Sequence, residues 1–455
     1  MNAHATQSRF AVIAGLGRTG LSCARYLHAR GWRLAVTDTR DAPPELAALQ
    51  SVSRDIVVRA GGLDTQLLDG AALVVASPGL DTSLPFFAAA RERGLGIVGD
   101  IELFARAVRA PVVGITGTNG KSTVTTLVGR MARRAGVAAR VGGNLGEPAL
   151  DLLGDDATAL YVLELSSFQL ESTTSLELVA ATVLNVTADH MDRYRSIADY
   201  AAAKARIFAH CGTAVLNLDD PLVAAMRVSS GQAGAPATTL TFTLRPGVAA
   251  DYSLVAEGGA DGGWLARRGE RLLPLSQLRM PGLHNAANAL AALALGEALA
   301  LPLEAMLDEL REFAGLDHRT QWVADVAGVH FVDDSKGTNV GATLAAVAGF
   351  RGMLVIIAGG DGKGQDFAPL AAAFRGKVRH TILIGRDAPA IAAALAGVCP
   401  VTRESSLEGA VVAAARIAAP GDTVLLSPAC ASLDMFRNYA HRGEVFARAV
   451  RSLAA

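Results

Sequence analysis

Short runs that are apolar at nearly every position recur along the chain, separated by longer stretches in which Ala and Leu repeat at helical spacing. A run apolar on both faces belongs to a strand buried on both sides, as in a parallel sheet covered by helices. The runs fall into three blocks. The first holds "FAVIAGLG" (10–17), "RLAVTD" (33–38), "ALVVASPG" (72–79) and "GIVGD" (96–100). The second holds "APVVGIT" (110–116), "ALYVLE" (159–164), "VAATVLNVT" (179–187) and "GTAVLNLD" (212–219). A Gly- and Pro-rich stretch, 229–282, predicts short antiparallel strands, and one long helical pattern follows from His284 to Phe313. The third block holds "HFVDDS" (330–335), "MLVIIAGG" (353–360), "HTILIG" (380–385) and "DTVLLSPA" (422–429). The expected fold class is α/β, in three domains: 1–105, 106–314 and 315–455.

Length agrees, since 455 residues exceed what one core organises. Lys and Arg number 42 against 43 Asp and Glu, a balance that argues against a nucleic-acid partner. The four cysteines are far apart, without the spacing of a zinc site or a disulfide framework. The start, "MNAHATQSRF", lacks an apolar leader segment, and the longest apolar candidate, "ALAALALGEALALPL", is interrupted by Glu297 and Pro302. These features predict a soluble cytoplasmic protein with no membrane insertion.

The chemistry starts at "GITGTNGKST" (114–123). The common phosphate-binding loop has glycine five positions before its Gly-Lys pair, where this chain has Ile115. A glycine turn carrying a solvated lysine is the plain alternative. Context favours the loop, because "APVVGIT" reads as a buried strand and "STVTTLVGRMARRAG" as a helix. A strand-to-helix turn presents unpaired N–H groups to an anion. Lys121 then neutralises outer phosphates, and the Ser122 hydroxyl can ligate Mg²⁺.

Glu164 ends one strand and His190 follows another, so topology sends both to the same sheet edge as Lys121. Alone, a histidine after a strand is more often a packing residue. Together a carboxylate and an imidazole beside a phosphate loop can hold a divalent cation. Asp334, Lys336, Lys363 and Ser432 lie in loops after the third block's strands, where glycine-rich surface turns are the alternative. A helix starting after "SPACAS" would suit a carboxylate there. "GLGRTG" (15–20), with Asp38 ending the next strand, fits a dinucleotide fingerprint. The same turn accepts any nucleotide diphosphate, and a dehydrogenase would leave the phosphate loop and third block without a role.

"GTNGKST", "GGNLG", "LELSSFQLE", "NVTADHMDRY", "AAKARI", "HNAAN", "DDSKGTN", "GGDGKG" and "SPACASLD" occur in the order found in Mur ligases, and the chain resembles that family from about 10 to 450. The resemblance is strongest to members that add D-glutamate. It implies an N-terminal Rossmann-like domain for a UDP sugar, a central P-loop-type ATPase with a mainly parallel sheet, and a C-terminal Rossmann-like domain for the amino acid. The implied reaction is ATP-dependent amide synthesis on UDP-N-acetylmuramoyl-L-alanine, with Mg²⁺, on one chain acting as a monomer. The carboxylate is phosphorylated, the amine of D-glutamate attacks the acyl phosphate, and a tetrahedral intermediate loses phosphate.

The resemblance also implies roles. Thr118, Asn119, Gly120, Lys121, Ser122, Thr123 and Val124 match the ATP loop, Asn285 and Asn288 the adenine contacts, and Arg319, Asp334 and Lys336 further nucleotide contacts. Ser122, Glu164, His190 and Lys204 match the metal site. Lys204, otherwise an ordinary helix lysine, matches one that is carbamylated in the family. Arg18, Thr19, Asp38, Thr39, Ser77, Pro78, Gly79 and Asn144 match the UDP-sugar side, and Thr338, Lys363, Ser432 and Tyr439 the glutamate site. Two positions depart from the pattern: Gln321 replaces a common acidic residue, and Tyr439 a common phenylalanine. The DNPR motif typical of diaminopimelate-adding members is absent from the sequence.

Overall fold

The uniformly apolar runs fold as buried strands gathered into three sheets, in a computed structural model that describes residues 9–154, 157–226, 236–256, 263–280, 282–350 and 352–453. The first sheet comprises β1 (Phe10–Ala14), β2 (Arg33–Asp38), β3 (Val57–Ala60), β4 (Leu73–Ala76) and β5 (Gly96–Val98). Its order is β3-β2-β1-β4-β5, and every pairing is parallel. Strand order reverses between β1 and β4, which opens a crevice beyond their carboxyl ends. "GLGRTG" and Ser77–Gly79 border that crevice.

The second sheet holds β6 (Val112–Thr116), β7 (Ala139–Gly143), β8 (Leu160–Glu164), β9 (Leu178–Val183), β10 (Cys211–Asn217), β11 (Thr238–Thr243), β12 (Tyr252–Ala256), β13 (Gly263–Arg267) and β14 (Glu270–Pro274). Its order is β14-β13-β12-β11-β10-β9-β6-β8-β7. Only the β12–β13 and β13–β14 pairs are antiparallel. The expectation for 229–282 therefore needs correction, because β11 pairs parallel with β10 and β12 parallel with β11. Residues 229–235, 257–262 and 281 of that stretch lie outside the described residues, as do residues 1–8, on which the reading of the leader rested.

The third sheet is β15 (Gln321–Val326), β16 (Val329–Asp333), β17 (Leu354–Gly359), β18 (Val378–Ile384), β19 (Val401–Arg403) and β20 (Thr423–Leu426), in the order β15-β16-β20-β17-β18-β19. All its pairs are parallel except β15 with β16.

The single helix expected from His284 to Phe313 is two, Leu283–Ala298 and Leu303–Glu312. Ala300 adopts the left-handed conformation (φ 53°) and Pro302 cannot continue a helix from the preceding turn, so the chain breaks there. The first of the two is apolar almost all round because it covers the central sheet beside the helix Lys121–Arg134, with Ala289 through Leu295 fully buried. Among the described residues, no helix is long and apolar enough to cross a membrane.

Candidate active site

The phosphate-type loop leaves β6 and opens the helix Lys121–Arg134. Two of its glycines are required by the backbone and by close neighbours. Gly117 and Gly120 have φ of 152° and 82°, and a Cβ on Gly120 would stand 2.4 Å from Asn288 Oδ1. Ile115 is a fully buried strand residue. The loop is pinned from the strand beside it: Asn119 N donates to Asn185 Oδ1 (2.8 Å), and Asn185 Nδ2 donates to Asn119 O (3.1 Å).

At the carboxyl edge of β6 and β8 the charged groups converge. Ser122 Oγ donates to Glu164 Oε2 (2.6 Å) and accepts from Arg319 Nη2 (2.7 Å). Asn144 Nδ2 donates to Glu164 Oε1 (2.6 Å). Lys121 Nζ reaches Gly117 O (2.9 Å) and Thr118 O (2.8 Å), while Lys204 Nζ, 1% exposed as a residue, also donates to Gly117 O (2.9 Å). Burial lowers the pKa of Lys121, and drives that of Lys204 well below its ordinary value, with repulsion from Lys121 adding to it. His190 is lowered by burial too, which favours the neutral imidazole, and its ring lies 5.1 Å from that of Phe168. Glu164 is buried and held by two neutral donors, with no ion pair among the described residues. A buried carboxylate with an adjacent hydroxyl is the oxygen-donor set that hard divalent cations prefer. The described side chains present no ready-made group of three His, Cys, Asp or Glu ligands.

Beside this cluster is a cavity of about 260 Å³ between the central and C-terminal sheets, lined by Asn285, Asn288, Arg319, Asp334 and Lys336 among others. Burial pushes Asp334 up to about 7, although its carboxylate accepts from Ser427 Oγ (2.8 Å) and Thr320 N (3.2 Å). Burial lowers Lys336 to about 8, and its Nζ stands 3.9 Å from the centre of the Tyr439 ring. A second cavity of about 260 Å³ lies between the first and central domains, where Ser77 and Pro78 face Phe168, Glu171 and Arg193.

Other sequence-expected residues fall where the structure gives them different work. Asp38, 1% exposed, accepts from Leu16 N (2.6 Å) and from Arg40, and the Arg40 guanidinium holds its pKa down to about 2. It therefore braces the "GLGRTG" turn, helped by the Ser77 hydroxyl on Gly15 O (2.9 Å). Arg18 Nη2 crosses to Gly146 O (2.8 Å), while Thr19 is half-buried and Thr39 exposed at the same edge. Val124 is fully buried in the core and its N–H returns to Gly120 O (3.0 Å), so it is not brought to the site. The helix expected after "SPACAS" is also absent. Ser432 closes only one turn, accepting from Phe436 N (2.8 Å), and the terminal helix starts at Tyr439. Asp434 is held outward by Arg386 N (2.9 Å), which ties this segment to the β18 loop. Gln321 anchors the Arg319 loop by accepting from His318 N (3.0 Å).

Sequence reasoning missed Asn185, Asp189 and Asn339. Asp189 Oδ1 lies 3.5 Å from Lys363 Nζ, and Asn339 Nδ2 donates to Asp189 Oδ2 (3.2 Å). Asn185 and Asp189 lie within "NVTADHMDRY" and Asn339 ends "DDSKGTN", so the motifs carried the signal.

Comparison with known proteins covers all three sheets. Family models match as "Mur ligase MurD-like, N-terminal domain" over residues 9–99, "Mur ligase middle domain" over 115–296 and "Mur ligase, glutamate ligase domain" over 318–430. The UDP-N-acetylmuramoylalanine–D-glutamate ligase of Nitrosococcus oceani is 52% identical, across 97% of this chain and 96% of its own. That of Methylobacillus flagellatus is 53% identical (97% and 96%), and that of Pseudomonas aeruginosa 50% identical (98% and 98%). Among solved structures, the UDP-N-acetylmuramate-alanine ligase of Thermotoga maritima aligns with a TM-score of 0.60 at 17% identity, covering 98% of this chain and 99% of its own. MurF of Acinetobacter baumannii aligns at 0.58 and 17% identity, covering 97% and 90%. At such identities both structures speak to the fold alone.

Proposed function

The chain belongs to the Mur ligase family, and on that footing we propose how its residues divide the work of the ligation. It is an ADP-forming acid–amino-acid ligase that adds D-glutamate to UDP-N-acetylmuramoyl-L-alanine in peptidoglycan precursor synthesis. The working unit in this reading is one chain in the cytoplasm. The observation that carries the division of work is the Ser122 hydroxyl, shared between Glu164 of the central domain and Arg319 at the entrance to the C-terminal domain.

A free carboxylate is a poor acyl donor, because its leaving group would be an oxide. Transfer of the γ-phosphoryl group from ATP to the L-alanyl carboxylate makes phosphate the leaving group. Catalysis is then positioning and neutralisation of charge. The N–H groups from Thr118 to Thr123 and the Lys121 ammonium cradle the phosphates, Arg319 adds a cation, and Asn285 and Asn288 take the adenine. Asp334 and Lys336 border the same nucleotide. Mg²⁺ would be held by Ser122 and Glu164, joined by His190 and a carbamylated Lys204, and would supply further positive charge to the phosphate oxygens. The depressed pKa of Lys204 favours the neutral amine that a carbamate needs.

The UDP sugar occupies the crevice beyond β1 and β4, from Arg18, Thr19 and Thr39 across Ser77–Gly79 to Asn144, with Asp38 bracing its floor. Thr338, Lys363, Ser432 and Tyr439 receive D-glutamate, whose amine attacks the acyl phosphate. Phosphate release with ATP and UDP-N-acetylmuramoyl-L-alanine, measured while the amino acid is varied, tests the reading. D-Glutamate alone supports turnover; equal use of L-alanine or diaminopimelate refutes it. Saturable NADH binding that the UDP sugar does not displace would overturn the assignment of the first domain.

A further inference from the structure

Asn339 N-caps the helix Val340–Gly349, its Oδ1 accepting from Ala342 N (2.8 Å). A serine, threonine or aspartate would do this equally well. Its Nδ2 does something those residues cannot, donating to Asn119 Oδ1 in the phosphate loop (3.2 Å) and to Asp189 Oδ2 (3.2 Å). Asn119 Nδ2 returns a bond to Asn339 Oδ1 (3.4 Å), so two amides from different domains face each other. Asn339 is 3% exposed, and both hydrogens of its amide are engaged across the interface. The Gly341 backbone also packs closely on Thr187, for a Cβ there would lie 2.7 Å from Thr187 Oγ1. Asp189 gives its other oxygen to Lys363, and Thr338 directly precedes Asn339.

We infer that Asn339 is a positioning residue: its amide clasps the amino-acid domain to the phosphate loop and Asp189, so that bound glutamate meets the acyl phosphate in register. The inference rests on the ligase reading for its substrate, but not for its geometry. When a glutamate carboxylate draws Lys363 from Asp189, the Asn339 bonds remain to hold the domains. Misplacement of reacting groups by about 1 Å can cost roughly a hundredfold in rate.

Asn339→Ser keeps the cap acceptor and removes the amide. The variant should keep a cooperative unfolding transition and bind ADP, measured calorimetrically, with an affinity reduced far less than its use of D-glutamate. Its kcat/KM for D-glutamate should fall roughly a hundredfold, the scale of a small misplacement. Asn339→Asp, which also keeps the cap but faces Asp189 with a second carboxylate, should fall at least as far. Small-angle scattering of the unliganded variants should show a larger radius of gyration than wild type. Wild-type kcat/KM in Asn339→Ser, or a loss confined to ADP affinity, overturns the inference. If the wild-type enzyme itself does not use D-glutamate, the function reading fails, and the scattering still decides the clasp, with equal dimensions overturning it.

Discussion

Lys121 and Lys204 both donate to the carbonyl oxygen of Gly117, each at 2.9 Å. Two ammonium groups on one buried oxygen repel each other, and burial disfavours both charges. Lys204 is the more strongly depressed, so the pair is best satisfied with Lys121 charged and Lys204 neutral.

That asymmetry meets the precondition for the proposed carbamylation of Lys204, because CO₂ adds only to a neutral amine. Lys204→Ala should be nearly inactive, with partial recovery when short-chain carboxylic acids fill the space. Lys204→Arg should stay inactive, since a guanidinium keeps its proton. Substantial turnover by Lys204→Arg would show that the position needs a cation.

The proposed role of Lys121 is to supply charge to the phosphates during transfer. Removing such a group typically costs a hundredfold or more in rate, so Lys121→Ala should lose about that much kcat. Near-normal turnover would make the loop merely structural.

Lys363 is positioned differently, since its partner is Asp189 on the neighbouring domain. Lys363→Ala should raise the KM for D-glutamate far more than that for ATP. Equal increases in both would place Lys363 on the nucleotide instead.

Asp334 carries a pH signature. Burial raises its folded-state pKa to about 7, above the unfolded carboxyl value of about 3.9, so the folded state holds the extra proton between those values. Its stabilising contribution is full below about pH 4 and is lost as pH rises towards about 7. Asp334→Asn removes this dependence. The variant's unfolding temperature should therefore gain on wild type as pH rises from about 4 to about 7. A difference that stays constant across that window would contradict the assignment.

The central strands were legible in the sequence because they are apolar at almost every position. The strands that escaped, β3, β7, β15 and β19, all stand at sheet edges. An edge strand is paired on one side only and tolerates charge, as in "VVRA" or "QWVADV". The site divides in the same way. Glu164 ends β8 while Lys121 and Ser122 open the helix after β6, all within patterned motifs, and topology alone brought them to one edge. Lys204 lies on a helix whose pattern does not mark it, and only tertiary packing shows its burial. Asp189 and Asn339 lie inside patterned motifs, but their pairing across a domain boundary is recorded by neither motif alone. The missing helix at Ser432 was a local misreading, since small residues after a strand suit an isolated turn as well as a helix start.

Arg319 belongs to the short connection between the central helices and β15, flanked by His318 and Thr320, both in the left-handed region (φ 61° and 50°). Residues held in that region are strained and persist only where the surrounding structure fixes them. The connection to the third domain is thus tied to Ser122 of the phosphate-type loop by Arg319, so a swing of the domain about it would pull on Ser122. If Arg319 meets the nucleotide as proposed, loading ATP and setting the angle of the amino-acid domain would be one mechanical event, and a linker lengthened by a few glycines should leave each substrate able to bind while breaking the timing between them.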